Sequence, residues 1–256
     1  MPDGLHAGKV ALVTGANKGL GREIARRLGG LGMTVYLGAR DEQRGRQAAD
    51  ALRQSGADTQ FLQLDVTDQH SVRRAAERIG QEAGRLDVLV NNAGIAVDAE
   101  RPSKQRPSSD IRATDTTAEH MRWTYDVNVF GVVAVMQAML PLLRRAPAAR
   151  VVNMSSPLGS LTLHADSASR VSQAGLLAYC SSKAALNLIT LQYANALRGT
   201  GILVNAANPG LVATDLNTFS GPRTVEQGAT AAVHLATLPA GGPTGVFLGD
   251  DGPVPW

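Results

Sequence analysis

Short β-branched or aliphatic runs alternate with longer amphipathic runs through the first half of the chain. The short runs predict strands over residues 9–14, 33–38, 59–64 and 86–91. The amphipathic runs between them predict helices over residues 20–31, 41–54 and 69–83. Apolar strands that are separated by helices are typical of a parallel sheet covered on both faces. The pattern therefore predicts an α/β fold of the doubly wound type.

The second half of the chain continues this alternation. The predicted elements are a helical stretch over 118–145, a strand over 150–155, a helix that contains Tyr179, a strand over 201–206, a helix over 224–237 and a last strand near 244–248. A chain of 256 residues fits one large domain. We expect residues 1–256 to form one Rossmann-type domain, a parallel sheet flanked by helices, with a nucleotide-binding half at 8–97 and a catalytic half at 118–256.

The composition argues against nucleic acid and metal as partners. The formal charge of +3 comes from arginines scattered along the chain, and only 4% of the residues are aromatic. Nucleic-acid sites need clustered cations and rings for base stacking, so we expect no nucleic-acid partner. The five histidines lie far apart without a paired spacing, and we expect no metal site.

The lone cysteine and the first residues of the chain bear on its compartment. Cys180 excludes an internal disulfide and suits a reducing cytoplasm, and its surroundings predict a packing thiol rather than a nucleophile. Residues 1–15 contain no basic stretch followed by a long apolar run, so we expect no signal peptide. We also expect no apolar run of membrane-spanning length. These features predict a cytoplasmic protein without a membrane partner.

Two stretches interrupt the alternation of strands and helices. Residues 98–117 carry two prolines and predict a surface loop, and residues 157–178 lie between a strand and the helix that contains Tyr179. In an open α/β sheet, ligands bind beyond the carboxyl ends of the strands. Both stretches follow strand ends and are candidates to line a site, although 98–117 is equally well explained as a tolerated surface insertion.

A glycine-rich segment, Thr14 to Gly21, joins the first predicted strand to the first predicted helix. Glycines at such a junction let the backbone turn tightly and approach a ligand closely. The helix that follows offers free N–H groups and the positive end of its dipole to a pyrophosphate. The glycine spacing is G-x-x-x-G-x-G rather than the general dinucleotide pattern, and the segment predicts a dinucleotide site.

The end of the second predicted strand indicates which dinucleotide binds. An acidic side chain at this place would bind the ribose hydroxyls of NAD, but Ala39 and Arg40 stand there. Arg40 can grip the 2′-phosphate of NADP in a bidentate manner, and Lys18 adds a second cation. Asp41 resembles the N-cap of the next helix. We therefore expect NADP(H) rather than NAD(H).

Tyr179 and Lys183 are four residues apart in a segment rich in helix formers, so they share one helix face. An ammonium beside a phenol favours the phenolate, and we expect Lys183 to lower the pKa of Tyr179. Such a phenol would serve as a general acid or base. Lysine is scarce in this chain, which makes a chance pairing less plausible.

Taken with these motifs, the whole chain resembles the short-chain dehydrogenase/reductase family. The matching pieces are TGANKGLG at 14–21, Asp65-Val66, Asn91-Asn92-Ala93-Gly94, Asn128, Ser155-Ser156, Tyr179 with Lys183, and Asn208-Pro209-Gly210 with Thr214. The NKG of the glycine loop, Arg40 and the closing GPTGVFLGDDGPVPW look most like the NADPH-dependent carbonyl reductases, a branch that includes plant ketone reductases.

The resemblance implies a catalytic set of four residues. Tyr179 would protonate the carbonyl oxygen, and Lys183 would assist it and hold the nicotinamide ribose. Ser156, with Ser155 as the alternative, would hydrogen-bond the carbonyl oxygen. Asn128 would hold a water that links Lys183 to solvent, or would support the helix backbone.

The resemblance also implies a larger set of cofactor contacts. Asp65 would contact the adenine amino group, although it also looks like an N-cap of the helix over 69–83. The residues implied to bind the cofactor are Gly15, Asn17, Lys18, Gly19, Leu20, Arg40, Asp65, Val66, Asn91, Ala93, Tyr179, Lys183, Pro209, Gly210, Val212 and Thr214.

Three functions are weighed for this chain. The first is the NADPH-dependent reduction of a ketone or aldehyde, and the second is the oxidation of a secondary alcohol with NADP. The third, a dinucleotide-sensing regulator, is disfavoured because Ser156, Tyr179 and Lys183 are all present.

The substrate is expected to be a small carbonyl compound that binds in an apolar pocket. Candidate pocket residues between the catalytic serine and the tyrosine helix are Leu158, Leu161, Leu163, Val171, Leu176 and Leu177, each of which core packing would explain equally well. The segment from Ser156 to Tyr179 is longer than in most of the family but much shorter than in monomeric carbonyl reductases. It leaves both a monomer and a homo-oligomer open.

Overall fold

One sheet of eight strands runs through the part of the chain that the computed structural model describes, residues 6–98 and 111–256. The strand order is β3-β2-β1-β4-β5-β6-β7-β8. All neighbouring pairs are parallel except the last, in which β8 runs antiparallel to β7. The doubly wound α/β fold predicted from the sequence is therefore confirmed.

The elements follow the predicted order. The strands are β1 Val10–Val13, β2 Thr34–Ala39, β3 Thr59–Gln63, β4 Val88–Asn91, β5 Arg150–Met154, β6 Leu203–Ala207, β7 Phe247–Gly249 and β8 Gly252–Pro253. The helices are α1 Gly19–Gly30, α2 Glu42–Gln54, α3 Gln69–Glu82, α4 Ala118–Tyr125, α5 Gly131–Leu143, α6 Leu161–Ala165, α7 Leu177–Ala196, α8 Val225–Gly228 and α9 Thr230–Ala236.

Three local features differ from the sequence expectation. The stretch predicted as one helix over 118–145 contains a π-helical turn, Asp126–Phe130, between α4 and α5. The predicted helix over 224–237 is divided into α8 and α9. The short strand β8 was not predicted, because two residues carry no periodicity that a sequence pattern can reveal.

Alternate residues of the strands pack on opposite faces of the sheet, which explains why the strands are apolar throughout. In β1, Ala11 and Val13 join the cluster that includes α1, α2 and α9, whereas Val10 and Leu12 join the cluster that includes α3, α5 and α7. Both sides of the sheet are covered, as a parallel sheet requires.

One continuous helical stretch of the described residues, Ala118–Leu143, is long and apolar enough to cross a membrane by length and composition. This corrects the expectation that no apolar run approaches that length. The apolar residues have another explanation, since Val135, Met136, Met139 and Leu143 of α5 are fully buried in the core. A core helix meets the same criterion as a membrane span.

The sheet order places a crevice at the carboxyl edge of β1. The chain leaves β1 toward α1 on one face and leaves β4 toward the other face, so the two connections diverge. At this edge the N–H of Thr14 donates to the carbonyl of Val90 over 3.0 Å. Ligands bind at such a topological switch point in open α/β sheets.

Candidate active site

The glycine-rich segment needs its glycines for close backbone approach. Gly15 has a φ of +62°, and a Cβ added to it would lie 2.9 Å from the Cα of Ala93. A Cβ on Gly21 would lie 2.4 Å from the Nδ2 of Asn92. Any side chain at either position would push the segment away from the loop that follows β4.

Thr14 and Asn92 join these two loops and had no assigned role in the sequence analysis. The Thr14 hydroxyl accepts the N–H groups of Asn92 and Ala93, each over 3.0 Å. The Asn92 side chain donates to the carbonyls of Thr14 and Gly15 at 2.9 and 3.1 Å. The only sequence signal for this role was the presence of both residues in the matching motifs.

The start of α1 is suited to an anion. Lys18 precedes the helix without making a side-chain cap, and the first turn contains no acidic residue. Gly19 has a φ of +54°, a conformation that glycine adopts without strain. The N–H groups of the first turn and the positive end of the helix dipole are the partners that a pyrophosphate needs. The residues present therefore fit a dinucleotide.

Arg40 and Asp41 take the positions expected for a 2′-phosphate site. Arg40 is exposed, and it has no ion-pair partner among the residues that the structure describes. Asp41 is the N-cap of α2, and its carboxylate accepts the N–H of Arg44 over 2.9 Å. Arg40 is thus available to an anion, whereas Asp41 is committed to the helix.

Lys18, the second cation predicted to meet the cofactor, is paired across the crevice. Its ammonium forms a salt bridge with Asp215, in the 3₁₀ turn Asp215–Asn217 that follows β6. A phosphate would have to compete with this carboxylate for Lys18. Asn17 and Leu20, on either side of this loop, are half-buried, and Leu20 faces Gly228 of α8.

Asp65 and Val66 follow β3 at the adenine side predicted for the cofactor. The Asp65 carboxylate accepts the N–H of Thr67 at 2.9 Å and its hydroxyl at 2.7 Å. The N-cap of α3 is Asp68, so the alternative reading of Asp65 as that cap is wrong. Val66 packs against Gly131, where an added Cβ would lie 2.9 Å from its Cγ2.

The side chain of Asn91 is buried and hydrogen-bonds a side chain of the neighbouring strand. The residue is 3% exposed, and its amide donates to the Oδ1 of Asn153, its neighbour on β5, over 2.8 Å. The Nδ2 of Asn153 continues the chain of hydrogen bonds to Thr190 of α7. A cofactor contact from Asn91 would therefore come from its backbone, whereas Ala93 lies directly against Gly15.

The segment after β6 approaches the glycine loop from the other side. Gly210 has a φ of +72°, and its N–H donates to the Oδ1 of Asn208 over 2.8 Å. Val212 is buried, and the Cγ2 of Thr214 lies 3.7 Å from the position of a Cβ on Gly19. The segment that begins at Pro209 thus closes the crevice next to the start of α1.

Tyr179 and Lys183 share one face of α7, as the spacing predicts. They are 9% and 5% exposed, and the Nζ of Lys183 lies 5.6 Å from the centre of the Tyr179 ring. The ammonium donates to the carbonyl of Met154 over 2.7 Å. It also faces Gly94, in the loop after β4, at 3.7 Å from the position of an added Cβ.

The expectation that Lys183 lowers the pKa of Tyr179 is wrong in this structure. Burial raises the pKa of Tyr179 to about 12, against the opposing effect of a hydrogen bond with Ser156. Burial also lowers the pKa of Lys183 to about 8. Loss of water disfavours the charged form of each group. The phenol is therefore protonated at neutral pH.

The two serines after β5 differ in burial and in their hydrogen-bond partners. Ser156 is half-buried and hydrogen-bonds Tyr179, and its hydroxyl accepts the N–H of Leu158 over 3.2 Å. Ser155 is buried, and its hydroxyl donates to the Oδ1 of Asn187 over 2.5 Å. Only Ser156 stands beside the phenol, which excludes Ser155 as the alternative.

Asn128 lies at the middle of the π-helical turn and is completely buried. Its Oδ1 accepts the N–H of Ile95 at 2.9 Å, and its Nδ2 donates to the Ile95 carbonyl at 2.8 Å. The Nδ2 also donates to the hydroxyl of Ser182 on α7. Its side chain thus supports the backbone of the loop after β4, and the predicted water relay stays a prediction.

The described parts of the two interrupting stretches lie next to this site. Residues 157–178 form a 3₁₀ turn Pro157–Gly159, helix α6 and a second 3₁₀ turn that leads into α7. Of the stretch 98–117, residues 99–110 lie outside the described residues. Its last part packs on the start of α7, since a Cβ on Gly175 would lie 1.9 Å from the Ile111 carbonyl oxygen.

Cys180 is buried, and burial raises the pKa of its thiol to about 12, as suits a packing residue.

The arrangement of these residues matches a known family. The family model described as short chain dehydrogenase matches residues 9–224. The chain belongs to this family. As a short-chain dehydrogenase/reductase it is an oxidoreductase, and the resemblance predicted from the motifs is confirmed.

The curated relatives of this short-chain dehydrogenase/reductase are named as reductases and dehydrogenases. Short-chain dehydrogenase/reductase 1 of Saponaria officinalis is 36% identical, over 93% of this chain and 93% of its own length. Carbonyl reductase (NADPH) 1 of Bos taurus is 34% identical, over 96% of this chain and 98% of its own. These relatives agree with the carbonyl-reductase branch indicated by the sequence.

Solved structures show the same fold. Salutaridine reductase from Papaver somniferum superposes with a TM-score of 0.78 at 30% identity, covering 94% of this chain and 99% of its own. A short chain dehydrogenase from Shigella flexneri, solved with NADP, gives a TM-score of 0.81 at 26% identity over 96% and 98%.

Proposed function

We propose that this enzyme reduces a ketone or aldehyde to an alcohol with NADPH. The observation that carries the proposal is that the Ser156 hydroxyl lies close enough to the Tyr179 phenol to lower its pKa, at the edge of the nucleotide crevice. There the Tyr179 phenol can donate a proton to an oxygen atom that the Ser156 hydroxyl holds by a hydrogen bond. Carbonyl reduction needs such a pair, because the oxygen gains negative charge and then a proton.

The residues of the chain have separate tasks in this reaction. NADPH, when bound, supplies the hydride to the carbonyl carbon. The Ser156 hydroxyl donates a hydrogen bond to the carbonyl oxygen, and the Tyr179 hydroxyl transfers its proton to that oxygen. Lys183 holds the nicotinamide ribose and offers a cation beside the phenolate that remains. Proton return to Tyr179 then completes the cycle.

Tyr179 carries the proton that carbonyl reduction needs. Its pKa is raised to about 12 by burial, so the phenol carries its proton at neutral pH. A phenol is the form needed to protonate a carbonyl oxygen, whereas the oxidation of an alcohol needs the phenolate as base. The names of the relatives, among them a carbonyl reductase and an isopiperitenone reductase, support a reductase over the alternative of a secondary-alcohol dehydrogenase.

The proposal names NADPH because of Arg40. This exposed guanidinium follows β2, and the neighbouring carboxylate of Asp41 is occupied as an N-cap. The names of several relatives also include NADPH. We expect Arg40→Asp to lose the preference for NADPH over NADH, measured as the ratio of the two values of kcat/KM. Equal efficiency of the unmodified enzyme with both cofactors would contradict this choice.

An apolar substrate is supported by the surroundings of Tyr179. The six apolar residues predicted to line the pocket are all absent from the two buried core clusters. Leu161 is 70% exposed and Leu177 is 40% exposed. In the segment after β6, Phe219 is 64% exposed. Core packing does not explain these side chains, whereas contact with a hydrophobic ketone would.

The experiment that tests the proposed function is NADPH oxidation with a panel of aliphatic, cyclic and aromatic ketones and aldehydes. Each product alcohol is assayed in parallel with NADP⁺ at the same pH. We expect turnover of at least one hydrophobic carbonyl compound, faster in the direction of reduction near neutral pH. NADPH binding without turnover of any compound would favour the dinucleotide sensor instead.

A further inference from the structure

Helix α7, which carries Tyr179 and Lys183, has no cap of its own. Leu176 precedes the helix and makes no side-chain hydrogen bond, and the first turn contains no acidic residue. The first N–H groups of a helix need partners from elsewhere when they are buried. Here Ala178 and Tyr179 are both buried, so water does not supply these partners.

Asp98 supplies them from a distant part of the chain. Its carboxylate accepts the N–H of Ala178 at 2.5 Å and the N–H of Tyr179 at 3.2 Å. The residue is 3% exposed, although it is about 80 positions away in sequence. A buried carboxylate at this place satisfies both donors and opposes the positive end of the helix dipole.

The loop that carries Asp98 is itself fixed at several points. The Thr116 hydroxyl donates to the Asp98 carbonyl at 3.2 Å, and Thr124 donates to the carbonyl of Val97 at 3.3 Å. Earlier in the same loop, Ile95 is held by the Asn128 side chain. The loop begins at β4, on the crevice, so it connects the nucleotide site to the start of the catalytic helix.

We propose that Asp98 is a positioning residue, whose carboxylate fixes the first turn of α7 and so places the Tyr179 hydroxyl against Ser156. The proposal rests on the proposed function and adds a residue to its machinery. Local caps such as Asp68, which accepts the N–H of His70 within the same segment, help a helix to form. Asp98 instead sets where the helix stands relative to β4.

The charge of Asp98 also acts on the groups around it. It raises the pKa values of the Tyr179 phenol and the Cys180 thiol, as a nearby anion should. From α4, His120 lowers the pKa of Asp98, whereas burial raises it. Asp98 therefore holds Tyr179 in place and favours its protonated form.

The test compares Asp98→Ala, which removes the acceptors, with Asp98→Asn, which keeps an acceptor and removes the charge. We expect Asp98→Ala to lower kcat at least about tenfold at unchanged NADPH affinity, the kind of loss that misplacement of a reacting group causes. Asp98→Asn should keep more of kcat and move the alkaline loss of reductase activity to lower pH. Asp68→Ala, which removes a cap outside the site, should change stability without changing kcat.

A direct titration of Tyr179 separates this inference from the proposed function. Carbon-13 NMR of labelled tyrosine, with the Tyr179 signal assigned through Tyr179→Phe, should show ionisation beginning at lower pH in Asp98→Asn. This measurement holds even if no carbonyl compound is reduced, an outcome that would contradict the proposed function alone. An unshifted titration, with wild-type kcat and pH dependence in both folded Asp98 variants, would overturn the inference. If Asp98→Ala does not fold, Asp98→Asn alone decides.

Discussion

Lys183 is a cation placed almost entirely away from water. The residue is 5% exposed. Within the described part of the chain, its ammonium donates a hydrogen bond only to the carbonyl of Met154. Burial lowers its pKa from 10.5 to about 8. Such a shift means that the folded protein holds the proton of Lys183 less strongly than the unfolded chain does. Lys183 is therefore expected to cost folding stability.

We expect Lys183→Met to be more stable than the wild type at pH 7, by on the order of 3 kcal/mol for a shift of this size. Between about pH 8 and 10.5 the unfolded wild type binds more protons than the folded form, so wild-type stability rises with pH. The advantage of Lys183→Met should shrink over the same range. Urea unfolding without cofactor at pH 7 and at pH 9.5 measures both effects.

The half-buried Lys9 provides the control for this experiment. Lys9→Met should bring no comparable gain at pH 7, because Lys9 is only half-buried and its ammonium has a partner in the Nδ1 of His6 at 3.0 Å. A Lys183→Met variant that is no more stable than the wild type, with a difference that does not change with pH, would show that Lys183 is not buried as a costly charge.

At the scale of elements, the catalytic geometry depends on how the 3₁₀ turn after β5 packs on α7. Asn187 lies one helical turn beyond Lys183, and its Nδ2 donates to the Gly159 carbonyl at 3.1 Å while its Oδ1 accepts from Ser155. Gly159 itself touches the backbone of Lys183. The turn that presents Ser156 is thus fastened directly to the helix that presents Tyr179.

We expect Gly159→Ala to lower both stability and kcat. An added Cβ would lie 2.6 Å from the carbonyl carbon of Lys183, so the turn would have to move away from α7. Overpacking of this kind costs about 1–3 kcal/mol. Thermal unfolding and steady-state kinetics of carbonyl reduction measure the two losses.

The matched control is Gly30→Ala at the end of α1, where an added Cβ has no neighbour within 4 Å. This change should leave kcat unaltered and should stabilise the protein slightly, because alanine favours a helix. If Gly159→Ala is as harmless as Gly30→Ala, the contact between the turn and the helix does not set the geometry of the site.

The π-helical turn shows why element boundaries were only partly predictable. The apolar pattern of residues 118–145 predicts one continuous helix, and the pattern contains no signal for an extra residue at Asn128. The turn coincides with hydrogen bonds from Asn128 to Ile95 and Ser182, which come from distant parts of the chain. The local pattern of apolar residues contains no information about such long-range interactions. π-turns often occur at functional sites, and this one contains Asn128.

At the scale of the whole molecule, the two sides of the crevice are joined by the salt bridge between Lys18 and Asp215. Lys18 belongs to the glycine loop, and Asp215 follows the segment from Pro209 to Thr214, which the resemblance implies binds the cofactor. Their side chains are 60% and 48% exposed. An ion pair that is so accessible to water contributes at most about 1 kcal/mol. It can therefore be exchanged for a phosphate contact at small cost.

We expect Asp215→Asn to tighten NADPH binding by up to about fivefold, the equivalent of about 1 kcal/mol. The substitution frees Lys18 and removes a negative charge beside an anionic ligand. Fluorescence titration of NADPH at low and high salt measures the gain, which should decrease as salt screens the charges. An affinity unchanged or weakened by Asp215→Asn would show that Lys18 does not contribute to the phosphate site.

The sequence predicted the fold and the identity of the chemical groups better than their environment. The order of strands and helices along the chain followed from apolar and amphipathic runs, and the Tyr179–Lys183 pair followed from its helical spacing. The sign of the pKa shift of Tyr179 was wrong, because burial is a property of the folded chain. Asn187 and Asp98 were not recognised, since their partners are far away in sequence.

The central claim is that Tyr179 protonates the carbonyl oxygen during reduction by NADPH. A single-turnover measurement of NADPH oxidation, with enzyme in excess over a carbonyl substrate from the active panel, isolates that step from product release. Tyr179→Phe should reduce the rate by about 10²–10⁴-fold, the usual contribution of a general acid, while NADPH still binds. A Tyr179→Phe enzyme that transfers hydride at the wild-type rate would contradict the claim.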